Sequence, residues 1–172
     1  MISFGYYEIN DLLAAVRFVK SISESEIAVY GNSQGGVTAI MCADSLKDVK
    51  CIISEAAFDN LENAIDNRFR AYLFIPGKIG AILMIPLAED KLKINIDDIA
   101  PIKLISKIHI PIFIIGGEDD KRILLEDTIR LYEAANQPKE LWIVPNAGHK
   151  NILSADPDGY NRKVLGFLKR NF

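Results

Sequence analysis

Cysteines, histidines, basic tracts and unbroken apolar runs are all scarce in this sequence, and each scarcity removes a class of protein. Only two cysteines occur, Cys42 and Cys51, too few for a disulfide framework. They read as two buried thiols acting as small hydrophobes, and a reducing cytoplasm is the expected compartment. Lys and Arg number 20 against 23 Asp and Glu, a net charge of −3, and no basic run exceeds two residues. Without an excess of cations to neutralise phosphates, a nucleic-acid partner is not expected. The most apolar long stretch, YLFIPGKIGAILMIPLA at 72–88, is interrupted by Pro76, Lys78, Pro86 and two glycines. It is too broken for a membrane span and reads as a buried or cap-like helical segment. The opening MISFGYYEIND has no basic stretch followed by an apolar one, so no signal peptide is expected. No Cys/His pair has metal-ligand spacing, no nucleotide fingerprint or cofactor lysine motif is visible, and neither metal nor cofactor is expected.

What remains is ample for one domain: 172 residues, 49% of them hydrophobic. Ile9, Leu12, Leu13, Val16 and Val19 fall on one stripe of a helix over 8–20. EIAVYG (26–31) reads as a strand, and SQGGVTAIMCADSL (33–46) as a helix with glycines at its opening. VKCIISEAA (49–57) is a nearly continuous apolar run, as a parallel strand covered on both faces requires. Residues 60–105 read as helical pieces broken by Pro76, Pro86 and Pro101 and are expected to form a cap insertion. HIPIFIIGG (109–117) and ELWIVPN (140–146) are further strands, with helices at 124–136 and 159–172. Strands alternating with helices predict a single α/β domain over 1–172, a three-layer, mostly parallel sheet with right-handed crossovers.

In such sheets functional groups gather at the carboxyl ends of the strands. Here the first strand runs into Gly31-Asn32-Ser33-Gln34-Gly35-Gly36, the third into Gly116-Gly117-Glu118-Asp119-Asp120, and the fourth into Pro145-Asn146-Ala147-Gly148-His149. Serine, acid and histidine in that chain order suit nucleophilic catalysis. A hydroxyl attacks poorly alone, a neutral imidazole can take its proton, and a carboxylate can orient the imidazole. Alone, G-x-S-x-G could equally be a phosphate-binding turn. No lysine follows the glycines, however, and the spacing of a dinucleotide fingerprint is absent.

Together with FGYYEINDLLAAVRFV, IAVYGNSQGGVTAI, IPIFIIGGEDD and KELWIVPNAGHKN, these motifs give a chain that resembles the α/β-hydrolase superfamily. The similarity is greatest to its bacterial serine hydrolases near the prolyl-oligopeptidase-like and dienelactone-hydrolase-like proteins, and it covers nearly the whole chain. The resemblance implies Ser33 as nucleophile, His149 as base and Asp120 as acid, with Asp119 as the off-by-one alternative. It implies one oxyanion donor, the N–H of Gln34. Gly31 and Gly35 would keep side chains out of the turn, and Gly36 would let the helix pack closely. Some relatives carry the acid one strand earlier, where Glu55 and Asp59 stand here; these two read as cap or surface residues. His109 reads as an edge or surface residue. The expected activity is hydrolysis of a carboxylic ester or a small amide or peptide.

The resemblance also implies an N-terminal truncation: strands that precede the first helix in the family are not found before it here. With them goes the loop that supplies a second oxyanion N–H. The first strand is then expected to be a bare apolar edge through which two chains pair as a homodimer. The alternative expectation is a weak or inactive pseudo-hydrolase that serves as a binding or oligomerisation module.

Overall fold

A computed structural model describes residues 2–42, 45–73 and 77–172. Met1, Ala43 and Asp44 of the helix expected over 33–46, and the helix break expected at Pro76, lie outside the described residues. The chain begins with α1 (Glu8–Ile22), followed by β1 (Ile27–Asn32), α2 (Gln34–Met41) and β2 (Val49–Glu55). Two helices, α3 (Leu61–Leu73) and α4 (Gly77–Leu92), and three short 3₁₀ turns lead to β3 (Ile112–Gly117). The remainder is α5 (Leu125–Ala134), β4 (Lys139–Val144), a single turn α6 (Ile152–Ala155) and α7 (Pro157–Asn171).

The four strands pair in parallel in chain order, β1-β2-β3-β4. Side chains alternate across a strand, so each strand serves two cores. Ile52, Ile112 and Ile114 meet α1, α2 and α5 through Val16, Val37, Ile40 and Leu131. Cys51, Ile53, Phe113, Ile115, Trp142 and Val144 meet α7 through Phe167. This is the expected three-layer arrangement, and every inner position of β3 is buried. Both cysteines are unpaired and buried, and burial pushes the Cys42 thiol up to about 11. No helix among the described residues is long and apolar enough to cross a membrane.

Two local expectations are corrected. Pro86 does not end a helix: it lies inside α4, which continues to Leu92. Of the two readings of this segment, buried or cap-like, the exposure of Ile79, Ile82, Met84 and Leu87 fits the second, while Ala81 is buried and Ile85 and Ala88 pack on the core. The last helix starts at Pro157 rather than 159, because Asp156 caps it by accepting from Gly159 N–H at 2.9 Å and proline suits the first turn.

Candidate active site

The carboxyl ends of β1, β3 and β4 lie along one edge of the sheet, with β2 between β1 and β3, and the loops that leave them bring Ser33, Asp120 and His149 together. At the end of β1 the chain turns straight into α2. A Cβ on Gly31 would overlap the carbonyl of Gly35 and the amide of Gly36, so only glycine fits there. Gly36 packs on β2; a Cβ there would lie 2.8 Å from Ser54 Oγ. Gly35 behaves differently from the expectation, because a Cβ there meets nothing within 4 Å among the described residues. Gly31→Ala is therefore expected to lower the unfolding free energy by about 3 kcal/mol or more in urea titration. Gly35→Ala should shift it by less than about 1 kcal/mol, since alanine is the better helix former. Equal losses at the two positions would contradict this steric account.

Ser33 stands at the apex of the turn with φ 52° and ψ −114°, a conformation that non-glycine residues rarely adopt. Its N–H donates to the Glu55 carbonyl at 2.7 Å, which ties the apex to the end of β2. Gln34 is the first residue of α2, so its N–H has no carbonyl one turn earlier to bond and stands at the positive end of the helix.

The other two loops are stitched to each other. Glu118 N–H donates to the Val144 carbonyl at 3.0 Å and Asp119 N–H to the Ala147 carbonyl at 2.8 Å. Asn146 N–H returns a bond to Glu118 Oε2 at 3.1 Å. A Cβ on Gly117 would overlap the Ala147 carbonyl, so the close approach of these loops depends on that glycine. Asp120 is 4% exposed. Its Oδ1 accepts from Arg122 N–H at 2.8 Å and Ile123 N–H at 3.0 Å, which fixes the carboxylate plane. Its Oδ2 lies 2.7 Å from His149 Nδ1. His149 Nε2 lies 3.1 Å from Ser33 Oγ. With the proton on Nδ1, the ring donates to Asp120 and accepts from the serine hydroxyl. Ser33, Asp120 and His149 thus form one continuous hydrogen-bonded line. Asp119 is exposed, with its N–H in the loop stitching, and His109 is exposed before the start of β3, at the other end of that strand from Asp120.

Glu55 and Asp59 are not surface residues: they are 5% and 2% exposed. Glu55 does not reach His149. It accepts from Asn32 Nδ2 at 2.6 Å and from the Tyr160 hydroxyl at 2.7 Å, and so ties the residue next to Ser33 to α7. Burial, then Tyr30 and Glu55, push the Tyr160 hydroxyl far above the ordinary phenol range, so it stays a donor. Asp59 accepts from Arg130 Nε at 2.8 Å, and Arg130 also pairs with buried Asp127. Burial first, then Asp59, push the Asp127 carboxyl up to about 6 against the pull of the Leu124 N–H and Arg130. A buried carboxylate must be paired, but nothing local in the sequence names the partners of Glu55. No group of three His, Cys, Asp or Glu side chains that could hold a metal ion occurs among the described residues.

Comparison with known proteins identifies the family and the fold. The sequence profile of the prolyl oligopeptidase family matches residues 3–172. The Bacillus subtilis (strain 168) protein YqkD is 29% identical over 177 residues, covering 96% of this chain and 56% of that protein. The Pyrococcus furiosus esterase Pf2001 superposes with a TM-score of 0.77 at 23% identity, over 99% of this chain and 64% of the esterase. An acylaminoacyl peptidase of Pyrococcus horikoshii superposes with a TM-score of 0.69 at 17% identity, over 97% of this chain and 28% of that one. The chain thus spans little more than half the length of the Bacillus subtilis protein and about a quarter of the peptidase.

Proposed function

This chain belongs to the prolyl oligopeptidase family of α/β hydrolases, and we propose that it is a serine hydrolase that cleaves a carboxylic ester or a small amide or peptide through an acyl-enzyme on Ser33. The observation that carries the reading is the line Ser33 Oγ, His149, Asp120, with its 3.1 and 2.7 Å steps. In this reading Ser33 Oγ attacks the carbonyl carbon while His149 Nε2 takes its proton. Asp120 holds the ring and stabilises the imidazolium. The Gln34 N–H at the opening of α2 supports the oxyanion. His149 returns the proton to the leaving oxygen or nitrogen, and water releases the acyl group by the same route in reverse. Residues 60–105 would be the cap over this chemistry. The two buried, unpaired thiols favour a reducing cytoplasm.

A fluorophosphonate probe tests the reading. Labelling of the folded protein at Ser33, lost in His149→Ala, is the expected result. A well-folded chain that takes no label would instead favour the alternative, a pseudo-hydrolase that serves as a binding or oligomerisation module. The outer position of β1, with Tyr30 exposed on it, supports pairing of two chains through that edge. Sedimentation at micromolar concentration should then give a dimer, and a compact monomer would remove that part of the proposal.

A further inference from the structure

Beside the serine-histidine-acid line, on the flank of His149 and the Asp120 loop, lies an open cleft of about 290 Å³ lined by Tyr72, Asp119, Lys121, Arg122, His149 and Lys150 among others. Its charge is unlike that of the chain as a whole: three cations face one carboxylate, in a protein of net charge −3. Among the described residues, no carboxylate forms an ion pair with Lys121, Arg122 or Lys150.

Arg122 is the best-defined of the three. Its Nε donates to the Tyr72 hydroxyl at 2.7 Å, and its guanidinium carbon sits 5.5 Å from the centre of the Tyr72 ring. The backbone N–H of the same residue is bound to Asp120. The guanidinium is therefore anchored at one edge and on one face. Its two terminal nitrogens have no hydrogen-bond partner among the described residues. A planar fork held in this way is prepared to receive two oxygens of one anion. A second guanidinium stands close by: Arg68 on α3 is half-buried, and burial first, then repulsion from Arg122, disfavour its charge against the pull of Asp120 and Tyr72. Two like charges gathered beside the site are a cost that Asp120 offsets in part and that an anionic ligand lowers further.

We infer that this cleft binds a negatively charged group, a carboxylate or a phosphate, on the leaving-group side of the substrate, with Arg122 as the residue that selects for it. The leaving-group side follows from His149, which both lines the cleft and returns the proton to the departing atom. The inference rests on the hydrolase reading above.

The test uses two acetate esters that differ by one charge, those of 4-hydroxyphenylacetic acid and of its primary amide. The same protein is titrated with fluorophosphonate to count active serines. kcat/KM for the charged ester is expected to exceed that for the amide by about tenfold or more, the scale of one charge-assisted hydrogen-bonded pair. The ratio should shrink at 0.5 M salt, at least in part, through screening. It should fall to about one in Arg122→Gln and recover partly in Arg122→Lys. Equal kcat/KM for the two esters in a labelled wild-type protein overturns the inference while the hydrolase reading stands. So does an Arg122→Gln variant that slows both esters by the same factor, which would make Arg122 only a latch between Tyr72 and the acid loop. A folded protein that neither labels nor cleaves either ester overturns the hydrolase reading and this inference with it.

Discussion

Ser33→Ala is expected to lower kcat on a short-chain aryl ester by about 10⁶-fold and to abolish fluorophosphonate labelling, with the melting temperature unchanged or slightly raised. The size of the loss follows from the geometry. Among the described residues, only the Ser33 hydroxyl is hydrogen-bonded to His149 Nε2, at 3.1 Å, and alanine leaves the imidazole with no hydroxyl proton to take. The fold does not depend on the hydroxyl: the N–H of residue 33 makes the bond to Glu55, and that bond survives the substitution. Activity that persists within about a hundredfold of wild type would mean that another group attacks, and the assignment of the nucleophile would fail.

Asp120→Asn should cost about 10⁴ in kcat while the protein folds normally. The Oδ1 bonds from the Arg122 and Ile123 amides can be kept by the asparagine oxygen. Its NH₂ then faces His149 Nδ1, where a carboxylate oxygen stood 2.7 Å away. Two donors cannot share that gap, so the ring shifts its proton to Nε2 and can no longer accept one from Ser33. Steady-state kinetics beside a thermal melt separate this from simple unfolding. If Asp119→Asn produced the larger loss, the acid would be one residue earlier than the geometry indicates.

The sequence was most legible where apolar pattern and turn chemistry agree. The run VKCIISE can only be a strand covered on both faces, and β2 is buried at all but one position. Glycines that mark a sharp turn, an acid after β3 and a histidine after β4 were enough to foresee which side chains a parallel sheet would gather at one edge. What escaped depends on partners far apart in the chain. Glu55 looks like a surface acid until Asn32 and Tyr160 are seen on either side of it, 23 and 105 residues away. Arg122 looks like a solvated cation until Tyr72, 50 residues earlier, is found holding it. Pro86 looks like a helix breaker by its own chemistry, and only neighbouring packing decides otherwise. Asp156-Pro157, by contrast, was a readable start signal for α7.

The backbone at Ser33, held at φ 52° and ψ −114°, has an evolutionary consequence. Such a conformation costs a non-glycine residue on the order of 1–3 kcal/mol. Random substitution followed by selection for folding alone would drift toward glycine at position 33, because glycine relieves that strain. If Ser33 is the nucleophile proposed above, a serine persists there only while its chemistry is in demand. In a lineage that abandoned the reaction, the apex would be among the first positions to change, and the change would leave the protein more stable.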